Sequence, residues 1–182
     1  MTLAKQVFEN TFFQLLRLHN EIVQAIDVRG GNDSRITYQG RDCFKYFYKK
    51  LKGKWDKNID SQEGSNRAIK AYELTFPEIE ADVGHYFRSL YNIVKFVDQS
   101  VIENKRLYTN LVRAQISSYE LVLLFYNCLS AYGKQKFKPL VEEYSLLKMI
   151  SPELLLNPES DKLEFNAKAF DGSPELQKHE VA

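Results

Sequence analysis

Apolar residues recur along this chain at steps of three and four, the spacing that places them on one face of an α-helix. Phe8, Phe12, Leu15, Leu16, His19, Ile22, Val23 and Ile26 follow this rule, and predict one long helix from about Leu3 to Val28. The run "RGGNDS", Arg29 to Ser34, ends it, because paired glycines break a helix and supply turn conformations. After Gly40 the period returns with Cys43, Phe44, Phe47, Tyr48 and Leu51, giving a second helix from Arg41 to about Leu51. "KGKWDKNIDSQEGSN" is polar and reads as a loop or frayed end, with a short helix around Arg67 to Leu74.

Pro77 opens the next predicted helix, which runs from Glu78 through Gly84 to about Ile102; a missing N–H costs little in a first turn. Another helix covers Lys105 to Gln115. "SSYE" then has the form of a capping box, Ser117 capping and Glu120 reaching back, so a new helix starts there. That helix, Ser118 to Tyr132, is apolar almost all round and is expected to be central and buried. Gly133 stands where a C-terminal cap belongs. Short helices are expected over Leu140–Leu147 and Pro152–Leu156. The expectation is an all-α single-domain multi-helix bundle over residues 1–157, followed by a polar, loosely ordered tail over 158–182 in which "LEFNAKAF" holds apolar residues able to dock.

Composition agrees with this pattern. Eight Gly and five Pro in 182 residues, mostly between periodic segments, are too few for an all-β chain. A net charge of +1 gives no global field for nucleic acid or a membrane surface. Cys43 and Cys128 form no CxxC or Cys/His spacing and read as reduced, packed thiols of a cytoplasmic protein. Three scattered histidines make a metal site unexpected, and no cofactor motif is present.

Three constellations can carry chemistry. In "GHYFRSLYNIVKFVD", Gly84 to Asp98, one face holds Phe87, Leu90, Tyr91 and Val94, while His85, Arg88, Ser89, Asn92 and Lys95 share another. His85 and Arg88, one turn apart, can meet the same anion; a solvated helix face, or a polar face hydrogen-bonded to a neighbouring helix, is the simpler reading. In "RAQISSYELVLLFYNCLS", Glu120 and Asn127 lie two turns apart inside an apolar helix. A buried carboxylate requires a partner, for which Arg88 and Arg113 are the candidates. One reading is a polar inter-helix cleft of His85, Arg88, Asn92, Arg113, Glu120 and Asn127. The other is capping by Glu120 with one satisfied core Asn. Third, Arg41, Lys45, Lys49 and Lys52, interleaved with Tyr46, Phe47, Tyr48 and Trp55, can contact nucleic acid or another anion, or form a solvated face whose stems cover rings. His19, amid an apolar face, reads as a packed, hydrogen-bonded residue, and His179 in the tail carries no inference.

Four stretches taken in order, "FFQLLRLHNEIV", "GHYFRSLYNIVKFVD", "LVRAQISSYELVLLFYNCLS" and "GKQKFKPLVEEYSLLKMI", resemble the phage abortive infection (AbiC-like) family of bacteria. The resemblance implies defence against bacteriophage, in which an infected cell stops growing before the phage spreads; it brings no catalytic motif. Family members often carry hydrophobic membrane segments ahead of the first stretch. This chain starts almost directly at "FFQLL", which makes membrane attachment doubtful here unless a segment precedes it. Many helical defence proteins are ribonucleases with an Arg followed by four to six residues and a His, and no Arg here has that spacing. The expected role is an antiphage effector or sensor that binds a phage or host protein or RNA. A ribonuclease, or a helical interaction module that can form a homodimer, are the alternatives.

Overall fold

The computed structural model describes residues 2–30, 35–57 and 64–171. Seven α-helices and one two-stranded sheet form among them: α1 Leu3–Ala25, β1 Asp27–Gly30, β2 Arg35–Gln39, α2 Asp42–Lys57, α3 Ser65–Gln99, α4 Lys105–Ala114, α5 Ser118–Leu129, α6 Lys138–Glu143 and α7 Pro158–Asp161. The all-α expectation holds, with the hairpin as a small addition.

The first helix is capped by Thr2, whose Oγ1 accepts from Lys5 N. It buries Phe8, Phe12, His19 and Val23, residues that the three-and-four spacing selects. It stops at Ala25, three residues earlier than the pattern predicts, because the chain turns extended at Ile26 and enters the hairpin. Asp27 pairs with Gln39 and Val28 with Tyr38, antiparallel, with a register shift between Val28 and Arg29. Two strands of four and five residues are too short for alternation to stand out against the helical signal beside them. Gly40 closes the unit: its φ of +59° suits glycine, and its N–H donates to Ile26 O at 2.8 Å.

Two expected breaks are absent. The second helix continues past Leu51 to Lys57, with Trp55 lying beneath the Arg67 guanidinium, 4.1 Å from ring centroid to Cζ. Residues 58–63, the rest of the expected loop, lie outside the described residues. Pro77 does not start a helix; it lies inside α3, which runs unbroken for 35 residues. Its ring is on the exposed side of α3. On the inner side Tyr72, Phe76, Ile79 and Val83 are buried in one file, so packing on both sides of the proline outweighs the lost backbone bond.

The expected central helix is α5. Ser117 Oγ accepts from Glu120 N, and the Glu120 carboxylate accepts from Ser117 N at 2.8 Å, so the capping box is formed. Every residue from Glu120 to Leu129 is buried, with α2 and α3 packed against the helix. The core also extends beyond residue 157. Tyr126 Oη donates to the buried Asp161 Oδ2 at 2.7 Å and accepts from Leu156 N. Phe165 packs its ring 4.7 Å from that of Phe125, and Ala169 O accepts from Leu147 N. The segment through Asp171 is therefore docked on the helical body, through the apolar residues of "LEFNAKAF"; residues 172–182, with His179, lie outside the described residues.

Candidate functional site

The two polar residues of α5 point to different neighbours. Glu120 is fully buried, and its closest cation is Arg41, Nε to Oε2 3.9 Å. The expected partners lie elsewhere. Arg113 donates to Ser145 O at 3.2 Å, and so holds a residue with the left-handed φ of 53°. Arg88 reaches the other end of α5. Beside Glu120 stands Tyr86, also fully buried; burial first and the Glu120 charge second hold its hydroxyl well above the usual tyrosine range. Neither Tyr86 Oη nor Glu120 Oε1 completes a hydrogen bond within the described chain. The His19 ring packs 5.0 Å from the Tyr86 ring, with Nδ1 3.2 Å from Ser89 Oγ. Burial, helped by the Arg41 charge, pulls its pKa down to about 4. His19 is thus the packed, hydrogen-bonded residue that its position predicts, and it belongs to a buried cluster with Tyr86 and Glu120, covered by the partly exposed Arg41 side chain.

Two turns further on, Asn127 is 4% exposed and opens on a different environment. Its Nδ2 donates to Tyr72 Oη at 3.0 Å. Asn127 forms part of the wall of a half-open cleft of about 300 Å³ between α3 and the turn after α5. Arg88, Glu80 and Lys136 are the charged residues lining it. Phe76 and Tyr132 form one aromatic wall, with ring centroids 4.2 Å apart; Tyr91 and Phe137 form another, edge to face at 5.6 Å. Phe87 also lines the cavity.

Two glycines shape this cleft. Gly84 is buried in mid-helix, where glycine costs about 1 kcal/mol relative to alanine. A Cβ there would stand 3.2 Å from Arg88 Nη1, so the missing side chain is the seat of the guanidinium. Gly133 is not the helix cap that its position suggests: α5 ends at Leu129, and Gly133 lacks a positive φ. A Cβ on it would lie 2.6 Å from Asn127 Oδ1 and 2.7 Å from Asn127 O, so it is required by close approach.

The remaining predicted residues lie outside this cleft. His85 is half-buried near Asp82, on whose carboxyl its charge acts. Asn92 is exposed on the outer face of α3. Lys45, Lys49 and Lys52 form an exposed stripe on α2. The aromatics expected to stack with nucleic acid beside them are engaged: Phe47 and Tyr48 are buried, Tyr46 stacks on Tyr38 at 5.3 Å, and Trp55 is covered by Arg67. Of the six residues of the expected cleft, Arg88 and Asn127 share one cavity. The aromatic walls, Glu80 and Lys136 escape sequence reading because they join only through tertiary packing. Their local signals are Gly84, inside a helix that would prefer another residue, and Gly133 in the turn after α5.

Among the described residues no helix is long and apolar enough to cross a membrane. No curated protein and no solved structure matches the chain. Residues 78–154 match the family model described as "Putative phage abortive infection protein", a span that takes in three of the four stretches carrying the resemblance and every cleft residue but Phe76. The chain shares with the phage abortive infection family the region that builds this cleft.

Proposed function

We propose that this chain acts in bacterial defence against bacteriophage, as an abortive-infection effector or sensor that recognises a phage or host component through the Arg88–Asn127 cleft. The observation that carries this reading is the state of Arg88. Among the described residues its guanidinium makes no ion pair or hydrogen bond, a mid-helix glycine lies beside it, and a buried amide and two aromatic pairs line the same cavity. Arg88 is exposed and lines a concave site, so its guanidinium is available to a ligand there. His85, which a ribonuclease reading would use, does not line the cleft.

The test is phage plating on a sensitive bacterial host expressing the chain. Arg88→Ala is expected to raise plating efficiency at least tenfold, towards that of unprotected cells, with circular dichroism and urea unfolding unchanged. Full protection by a soluble, folded Arg88→Ala variant would overturn the role of the cleft.

A further inference from the structure

The cleft carries a more specific assignment, which rests on the recognition role proposed above. We infer that it binds a nucleoside monophosphate unit, with the phosphate at Arg88 and Lys136 and an amino-bearing base between the aromatic walls.

Three features of the cleft converge on that chemistry. The first is cationic. Arg88 and Lys136 line the same cavity, and neither is neutralised by an ion pair among the described residues. A guanidinium offers a fork of donors suited to phosphate oxygens, and an ammonium adds a point charge. The second is flat and apolar. The Phe76–Tyr132 pair ends in Tyr132, which is 48% exposed, so a large ring stands at the rim, half uncovered by the described residues. Rings so placed provide stacking faces for a planar partner.

The third feature separates a nucleotide from a simple anion. Glu80 lines the cleft opposite in sign to Arg88 and is also without an ion pair among the described residues. Asn127 has its Nδ2 committed to Tyr72, so its acceptor Oδ1 is the atom left without a partner among the described residues. A ligand that satisfies both must bring donors as well as negative charge. An exocyclic amine on a planar base supplies those donors, and a carboxylate and an amide oxygen are its natural acceptors. A cavity of about 300 Å³ is at the lower end of ligand sites and suits one nucleotide, with a strand having to leave through the open side.

Isothermal titration of the full chain with AMP, CMP, GMP, UMP, adenosine and inorganic phosphate tests this, together with the 5′-phosphorylated trinucleotide of adenosine. AMP, CMP or GMP is expected to bind at least tenfold more tightly than adenosine or phosphate alone, and more tightly than UMP. Arg88→Ala is expected to weaken that binding at least tenfold and Tyr132→Ala about fivefold. AMP binding equal to the trinucleotide identifies a free nucleotide; a tenfold gain for the trinucleotide identifies a strand end. No binding of any nucleotide at millimolar concentration, or binding indifferent to both substitutions, overturns the assignment. If Arg88→Ala loses phage protection while no nucleotide binds, the ligand class fails and the recognition role stands. If nucleotides bind and Arg88→Ala still protects, the defensive role of the cleft fails and the ligand class stands.

Discussion

Glu120 and Asn127 stand two turns apart on one helix, about 10 Å along its axis. The first closes a knot of buried Tyr86 and His19 under the partly exposed Arg41; the second forms part of the wall of an open cleft with Arg88. Both are polar residues in an apolar helix, and spacing alone assigns them to one site. What separates them is the element each meets. Glu120 faces the start of α2 and the middle of α3, where Tyr86 and His19 are buried with it and Arg41 stays partly exposed. Asn127 faces the turn after α5, where Gly133 takes the space of a side chain and the surface stays concave. At the Glu120 end close packing encloses the polar groups, Tyr86 Oη and Glu120 Oε1 among them; at the Asn127 end a buried amide borders a cavity that Arg88 and Lys136 also line.

The largest effect expected from this contrast is on stability at the Glu120 end. Glu120→Ala removes the acceptor of Ser117 N, leaves Tyr86 and Arg41 without their carboxylate, and opens a void in the core. Loss of a charged hydrogen bond plus an unfilled cavity should cost about 4 kcal/mol in urea unfolding. Arg88→Ala at the open end should stay within about 0.5 kcal/mol of the parent, because the side chain is exposed and makes no ion pair or hydrogen bond among the described residues. Equal losses at the two ends would erase the distinction.

Much of the framework behind this contrast is legible in the sequence. The α1 face, the capping box at Ser117 and Glu120, and the all-apolar α5 each follow from period and cap chemistry over a few residues. So does the packed state of His19, placed amid an apolar stripe. The family likeness is legible too, and holds over residues 78–154. The partners of Glu120 are not legible. Arg41 lies 79 positions away and enters the site because the hairpin and Gly40 direct the start of α2 there, a consequence of a turn that helical periodicity cannot register. Pro77 misleads for a related reason: a local breaker is overruled by core contacts on either side of it. The cleft walls come from α3 and the turn before α6, and only Gly84 and Gly133 mark them.

The Glu120 end also has a pH signature that the open end lacks. His19 is held at about 4 when folded against about 6.5 when unfolded, so between these values the unfolded chain binds a proton that the native one does not. Its contribution is whole above pH 6.5, declines as pH falls towards 4, and is level below that. The span is worth at most about 3 kcal/mol. The groups around the ring are Arg41, Ser89, Tyr86 and, through Tyr86, Glu120; Arg41 adds to the depression. His19→Gln should flatten unfolding free energy between pH 6.5 and 4 relative to the parent. An identical slope in both proteins would show that the ring is open to solvent.

The smallest effect sharpens the comparison at the boundary between packing and cleft. Gly133→Ala sets a Cβ where it would lie 2.6 Å from Asn127 Oδ1, and the alternative contact, Asn127 O at 2.7 Å, is backbone that cannot swing aside. The turn after α5 must therefore shift. Overpacking of this kind costs about 2 kcal/mol, and it moves the rim residues Tyr132 and Lys136 together with Gly133. Gly84→Ala differs in kind. Its Cβ would meet the flexible end of Arg88 at 3.2 Å and the Glu80 side chain at 3.4 Å, both able to give way. Alanine also favours the helix by about 1 kcal/mol, so stability should hold or rise slightly while the guanidinium leaves its seat. Urea unfolding and phage plating of the two variants together separate the roles. Gly133→Ala should lose stability and protection, and Gly84→Ala should lose protection alone. A Gly84→Ala chain that is stable and fully protective would mean that the seat of Arg88 is incidental to what the cleft does.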